Sequence, residues 1–321
     1  MKILLTTASF QETPGPHHAF LESSGFEIVR AKGPLKEEQM LDLIKQSGGF
    51  DGFLNGDDHI TQKVIDAALP RLKVIAKYGI GLDSIDVKYA TARKLPVLFT
   101  PGVNHTTVAE HCFGLMIALE KHFWESLRST KAGQWKRITG HELYGKTISV
   151  LGVGRIGKEM IKRAAAFDMQ SRGFDLHWDD EFAAKFNVKR DNTLTEAVRD
   201  ADIISLHMNL DDQNRGCINK QTIATMKKGA IVINTARGGL VIEKDIAEAC
   251  RSGHLGGYGT DVLDQEPPPA DHPFREIDNI IVTPHIGSRT FESVERQAMR
   301  AVKNLVNFLK GDSDFIQANK F

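Results

Sequence analysis

The stretch "VLGVGRIGKEM", residues 150–160, places Gly152, Gly154 and Gly157 directly after the apolar run "TISV". This G-x-G-x-x-G spacing makes either a plain strand-to-helix turn or a cradle for the pyrophosphate of a dinucleotide. The flanks favour the cradle. Ile148 and Val150 suit a buried strand, and Ile156, Met160, Ala164 and Ala165 give the next segment an apolar stripe of helical period. In such a unit Gly152 permits the tight turn, Gly154 lets backbone approach phosphate, and Gly157 allows close packing of helix on strand. The phosphates then meet the N–H groups and positive end of the helix near Arg155 and Ile156. Asp175, in "GFD", stands about 20 residues downstream, where the pattern expects a carboxylate for the ribose 2′-hydroxyl. A carboxylate there repels a 2′-phosphate, so NAD is favoured over NADP. The intervening "MQSRGF" reads as a poor strand, with little apolar content and an internal glycine.

Outward from this stretch, short β-branched runs alternate with longer segments of helical period, the pattern of parallel sheets with crossover helices. The expected class is α/β, with two doubly wound domains. Candidate strands before the midpoint are residues 2–6, 26–29, 51–55, 73–77 and 96–99. The rhythm breaks at Pro101–Gly102, and a long amphipathic helix is expected from Asn104 to about Thr130, with Val108, Cys112, Leu115 and Leu119 on one face. A second set of strands follows at 147–151, 202–207, 230–234, 256–262 and 279–284. In the last helix, Val294, Ala298, Ala301, Leu305 and Phe308 share one face, which can return to the first domain.

Composition narrows the possible partners. Lysine plus arginine and aspartate plus glutamate each number 41, which leaves no basic surplus for nucleic acid. No stretch approaches the ~18 apolar residues of a membrane span, and the N-terminus lacks a secretory apolar core. Three cysteines, Cys112, Cys217 and Cys250, lie far apart without a C-x-x-C, which argues against disulfides or a zinc site and suits a cytoplasmic protein.

Three further stretches set a polar side chain just after an apolar strand: Arg237 in "NTARGGLV", Glu266 in "DVLDQEPP" and His285 in "TPHIGS". Open α/β sheets build their sites at such strand ends. If the three converge they suit carbonyl–alcohol redox chemistry, in which a hydride moves to or from carbon while a proton moves on or off oxygen. Arginine can grip a carboxylate and polarise the neighbouring carbonyl. Histidine donates protons near neutral pH, and a paired carboxylate orients it and favours its charged form.

Together "KYGIGLDSIDVKYATARKLPV", "TPGVNHTTVAEH", "GQWKRITGHELYGKTISVLGVGRIGKE", "ADIISLHMNL", "KKGAIVINTARGGLV", "DVLDQEPP" and "TPHIGS" resemble the D-isomer-specific 2-hydroxyacid dehydrogenases, especially their phosphoglycerate dehydrogenase-like branch. The resemblance covers nearly the whole chain. It implies that Arg237, Glu266 and His285 are catalytic, with His285 protonating a 2-oxo acid, Glu266 holding His285 charged, and Arg237 binding carboxylate and carbonyl. It implies a substrate loop of Lys77, Tyr78, Gly79, Ile80 and Gly81, and it adds His207, Thr235, Ala236, Asp261, Arg237 and His285 to the NAD contacts. Lys77 stands where relatives acting on phosphoglycerate tend to carry arginine, which leaves two readings: a contact for a second anionic group, or a solvated lysine at a strand end. The implied coenzyme domain is an insertion at 103–287 within a substrate domain of 1–102 and 288–321. A homodimer built through about 104–146 is also implied. Asn209 and Asn214 depart from the proline and threonine common in relatives, and no C-terminal regulatory domain is expected after Phe321. The implied reaction interconverts a small D-2-hydroxy acid and its 2-oxo acid, either 3-phosphoglycerate oxidation or glyoxylate or hydroxypyruvate reduction. A different class, the NADH-sensing corepressors, shares the scaffold.

Overall fold

Two sheets of parallel strands carry the chain, and the structure, a computed structural model, describes residues 1–321. Backbone contacts divide it into two units, Met1–Asn104 with Arg289–Phe321, and His105–Ser288.

The first unit holds β1 (Lys2–Leu5), β2 (Glu27–Arg30), β3 (Gly52–Asn55), β4 (Val74–Lys77) and β5 (Val97–Leu98), in the order β2-β1-β3-β4-β5. Helices cover both faces, so the central strands β3 and β4 are buried along their whole length. One face packs against helices Glu37–Ser47, Gln62–Ala68 and Val87–Ala92 through Met40, Ile44, Val64, Ile65 and Ala90. The other receives the last helix, Phe291–Lys310, whose Ala298, Ala301, Val302 and Leu305 pack on Ile3, Leu5, Leu54 and Val74. Each fully buried leucine or isoleucine in such a layer contributes roughly 1.5–3 kcal/mol.

The second unit has β6 (Thr147–Leu151), β7 (Gln170–Phe174), β8 (Lys189–Arg190), β9 (Ile203–Leu206), β10 (Ala230–Asn234), β11 (Leu255–Thr260) and β12 (Ile280–Val282), ordered β12-β11-β10-β9-β6-β7-β8. The chain winds outward from β6 to β8, then returns to lay β9 on the other side of β6. This reversal leaves a crevice at the carboxyl ends of β6 and β9, the place where doubly wound sheets bind ligands.

Three features differ from expectation or fill it in. "MQSRGF" does form a strand, β7, in register with β6 from Thr147↔Gln170 to Leu151↔Phe174. Its polar content has a use: Arg172 is buried and makes paired hydrogen bonds of 2.7 and 2.6 Å to Asp191, with a third to the Glu196 carbonyl at 2.9 Å. At Gly173 a Cβ would stand 2.8 Å from Val153 Cγ2 and 3.3 Å from the Trp178 ring, so only glycine fits.

The long helix expected from residue 104 is two helices, His105–Glu120 and Phe123–Lys131. His122, at a left-handed φ of 49°, separates them, and the Glu120 carbonyl accepts from His141 N–H at 2.7 Å instead of continuing a ladder. The first helix is buried on most of its circumference, because β11 lets it approach. A Cβ on Gly257 or Gly259 would lie 2.9 or 3.3 Å from a Leu119 methyl carbon.

Candidate active site

All the second-unit candidates occupy the carboxyl edge of one sheet. Gly152 follows β6, Asp175 follows β7, His207 follows β9, Thr235 and Ala236 follow β10, Asp261 follows β11, and the segment with His285 follows β12. Parallel pairing puts these strand ends on the same side.

The glycine turn has the geometry that a pyrophosphate cradle requires. Gly152 has a φ of 97°, and a Cβ there would come within 2.7 Å of the His207 carbonyl carbon. At Gly157 a Cβ would meet the Gly152 carbonyl oxygen at 2.1 Å, so the helix Arg155–Ala166 sits directly on the turn. Gly154 is different, since a Cβ on it would meet nothing within 4 Å. It caps that helix without a side-chain acceptor, leaving the first-turn N–H groups to a ligand, with Arg155 exposed and Ile156 half-buried beside it. Asp175 closes the turn from the side: Val153 N–H donates to one carboxylate oxygen at 2.6 Å and His177 N–H to the other at 2.7 Å. Each oxygen keeps a lone pair for a ribose hydroxyl.

His207 is held by Ser205, whose Oγ lies 2.8 Å from Nε2, while its Nδ1 is buried without a hydrogen-bond partner. Burial pushes the imidazole down to about 3, so it stays neutral. Polar donors at a crevice edge, a neutral imidazole with an unclaimed nitrogen and an uncapped helix fit a dinucleotide. Downstream, Asn214 Nδ2 donates to the Asn209 carbonyl at 2.6 Å, so the two departures from the family pattern close one turn together.

Glu266 and His285 are in direct contact, His285 Nδ1 lying 2.8 Å from Glu266 Oε2. Both side chains are open to solvent, His285 by 47%. Glu266 Oε1 also accepts Leu263 N–H at 2.9 Å, which fixes the carboxylate. Arg237 enters on the turn after β10. Buried Asn234 shapes that turn by donating Nδ2 to the Arg237 carbonyl at 2.9 Å and accepting Ala236 N–H at 3.0 Å. Gly238 follows so closely against residues 263–264 that a Cβ would lie 2.0 Å from the Leu263 carbonyl carbon. The backbone bearing Arg237 therefore abuts the loop that leads to Glu266. The guanidinium itself donates Nη1 to the Ala236 carbonyl at 2.7 Å. Thr235 Oγ1 lies 3.0 Å from Cys112 Sγ.

In the first unit Lys77 closes β4 with its side chain only 2% exposed. Its Nζ donates to Asp57 Oδ1 at 2.5 Å and to the Gly56 carbonyl at 2.6 Å. Tyr78 is buried, with its N–H on the Asn55 carbonyl at 2.8 Å, and Gly79 exchanges hydrogen bonds with Thr100 at 3.1 and 2.9 Å. Ile80 projects to the surface.

Asn234, His111 and Thr283 were without a role in the sequence reading. Asn234 was legible in principle, as a polar residue ending an otherwise apolar strand. His111 was not, because its partners lie after β11 and after β12.

Residues 113–287 match the profile of the D-isomer specific 2-hydroxyacid dehydrogenase, NAD binding domain. The chain is 38% identical over 294 residues to D-3-phosphoglycerate dehydrogenase of Methanocaldococcus jannaschii, covering 91% of this chain and 55% of that protein. It is 38% identical over 296 residues to glyoxylate reductase of Thermofilum pendens, covering 89% of this chain and 86% of that protein. Among solved structures, D-lactate dehydrogenase from Aquifex aeolicus, complexed with NAD and lactic acid, superposes with a TM-score of 0.85 at 25% identity, covering 100% of both chains. The chain belongs to the D-isomer-specific 2-hydroxyacid dehydrogenase family, oxidoreductases that use NAD. It spans about half the length of the phosphoglycerate dehydrogenase it matches and most of the glyoxylate reductase.

The depressed His207 has a consequence for stability. Between about pH 6.5 and pH 3 the unfolded chain takes up a proton that the folded ring refuses, so this residue lowers stability as pH falls through that window. His207→Gln retains a group for Ser205 and removes the titration. Its melting temperature should fall less than that of the wild type between about pH 7 and pH 4.5; parallel losses in both would show that His207 is not protonated on unfolding.

Proposed function

We propose that this chain reduces a small 2-oxo acid bearing no second anionic group, of the glyoxylate or hydroxypyruvate kind, to the D-2-hydroxy acid. The observation that carries the chemistry is the His285–Glu266 contact at 2.8 Å on the edge of the NAD-binding sheet. Glu266 accepts a hydrogen bond from Nδ1–H, which leaves Nε2 as the nitrogen that exchanges protons with the substrate. When bound, reduced NAD would supply a hydride for the carbonyl carbon. His285 gives its Nε2 proton to the carbonyl oxygen as the charge develops there. Arg237 pairs with the substrate carboxylate and draws charge from the carbonyl. Gly152, Gly154, Arg155, Ile156 and Gly157 hold the pyrophosphate, Asp175 the ribose, and His207, Thr235, Ala236 and Asp261 line the rest of the coenzyme site.

Lys77 supports this choice of substrate class. An ammonium that is nearly fully buried and already shared between a carboxylate and a carbonyl has less to offer a substrate phosphate than a free one. This argues against phosphoglycerate. The residues of the 77–81 loop bind the substrate through backbone, with Tyr78 and Ile80 shaping it. The unit His105–Ser288 is the coenzyme domain and the other unit the substrate domain.

We also infer a homodimer in the cytoplasm. Trp124, Leu127, Trp135 and Tyr144 are all exposed within 123–144, Trp135 by 82% and Tyr144 by 71%. So much aromatic surface in one segment suits a partner of the same chain. No helix is long and apolar enough to cross a membrane.

With NADH, kcat/KM for hydroxypyruvate or glyoxylate should exceed that for phosphohydroxypyruvate by about tenfold or more; the reverse order in a spectrophotometric panel would refute the assigned substrate class. His285→Ala should lower kcat by roughly 10²–10⁴-fold while NADH still binds, and a variant of near-normal turnover would remove His285 from proton transfer. Sedimentation velocity should find a dimer that Trp135→Asp weakens; a wild-type monomer at micromolar concentration would exclude the assembly.

A further inference from the structure

The imidazole of the reaction rides on residues 283–287, which lie outside regular secondary structure, and His285 itself has a left-handed φ of 52°. L-residues with side chains rarely occupy that region, so neighbouring groups must impose it. Asp261 is one such group. Its Oδ1 accepts Thr283 Oγ1–H at 2.5 Å and Ile286 N–H at 2.9 Å, and its Oδ2 accepts Gly287 N–H at 2.7 Å. Its own carbonyl takes His285 N–H at 3.0 Å. Burial opposes ionisation of Asp261, but the hydrogen bonds from His111, Thr283, Ile286 and Gly287 outweigh it and hold the carboxyl below its ordinary range.

His111 completes this arrangement from the helix His105–Glu120. Its Nε2 is 2.9 Å from Thr283 Oγ1 and 3.4 Å from Asp261 Oδ1. Thr283 has one hydroxyl proton and gives it to the carboxylate, which can only accept; towards His111 the hydroxyl must therefore be the acceptor. Nε2 consequently carries hydrogen, and its N–H points at Thr283 and Asp261 together. The loop lies close to Asp261 as well, since a Cβ on Gly287 would come within 2.9 Å of Asp261 Oδ2, with His111 Cδ2 beyond it at 3.5 Å.

We propose that His111 is a positioning residue for the reaction: its Nε2–H ties the buried helix to Thr283 and Asp261 and so fixes the loop on which His285 meets Glu266. The proposal rests on the reading of His285 as proton donor, and it gives Asp261 a second duty besides the coenzyme. His111 touches neither substrate nor the transferred proton. Its loss should act mainly on kcat, because the glycine turn and Asp175 are built on other strands and Asp261 keeps its hydrogen bonds from Ile286 and Gly287 without His111. A shift of the imidazole by about 1 Å is enough to slow such a step by up to about 10²-fold.

The experiment measures steady-state kinetics on the 2-oxo acid the wild type reduces best, with NADH affinity followed by fluorescence titration. His111→Leu removes the donor and should lower kcat by about 10–100-fold with the NADH Kd unchanged within about threefold. His111→Gln can set an N–H near the same place and should recover most of the rate. If His111→Leu fails to fold, the comparison of Thr283→Val with Thr283→Ser carries the test, since only valine severs the link. Full turnover in the donor-less variants, or glutamine and serine variants as slow as leucine and valine, would overturn the proposal. A wild type that reduces no 2-oxo acid with NADH would refute the underlying reading of the site instead.

Discussion

The second unit depends on a contact with no room for a side chain: the Cα of Gly152 lies against the His207 carbonyl, at the crevice where the strand order turns back on itself. Strands β6 and β9 must pair in parallel for the sheet to reverse, and the turn leaving β6 then runs into the residue leaving β9. A Cβ at 2.7 Å would force them apart. The helix Arg155–Ala166 is brought down equally tightly by Gly157, so its uncapped end is aimed at the crevice. Coenzyme binding follows from this close packing of backbone, because the donors offered are main-chain groups that only close approach can present.

Carboxylates at strand ends do the remaining shaping. Asp175 gathers the N–H groups of Val153 and His177, Asp261 those of Ile286 and Gly287, and Glu266 that of Leu263. In the first unit Asp58 accepts Thr6 Oγ1 at 2.5 Å, Leu35 N–H at 2.7 Å and Gly56 N–H at 3.1 Å. Charged acceptors suit this task, since hydrogen bonds to them are roughly twice as strong as neutral ones and loops outside a ladder have N–H groups to satisfy. Three of these groups, Asp175, Asp261 and Glu266, are also the carboxylates proposed for the coenzyme and the reaction. Lys77 shows the converse. Its ammonium, a candidate contact for a second anionic group, is engaged within its own unit by Asp57 and the Gly56 carbonyl.

Much of this was legible in the chain. Continuous apolar strands such as "AIVIN" announce a sheet covered on both faces, and the glycines of 152–157 announce their turn, because both signals are local and repeat at fixed spacing. The last helix carried its return to the first sheet in the stripe that includes Ala298, Ala301 and Leu305. β7 was misjudged for a physical reason: propensity counts its arginine and glycine against a strand, whereas Asp191 neutralises the one and the Val153 and Trp178 side chains demand the other. The break at His122 was likewise hidden, since the group that claims the Glu120 carbonyl comes from residue 141.

Sequence by itself determined the parallel α/β class, the glycine turn with its acidic partner, and the candidate Arg237, Glu266 and His285, because each is written in residue type and short-range spacing. Tertiary structure alone decided that Glu266 and His285 touch, that Lys77 is spent on Asp57, and that His111 reaches Thr283 and Asp261. Those contacts join residues on different strands and helices, and a hydrogen bond a few ångströms long exists only once packing has fixed both ends.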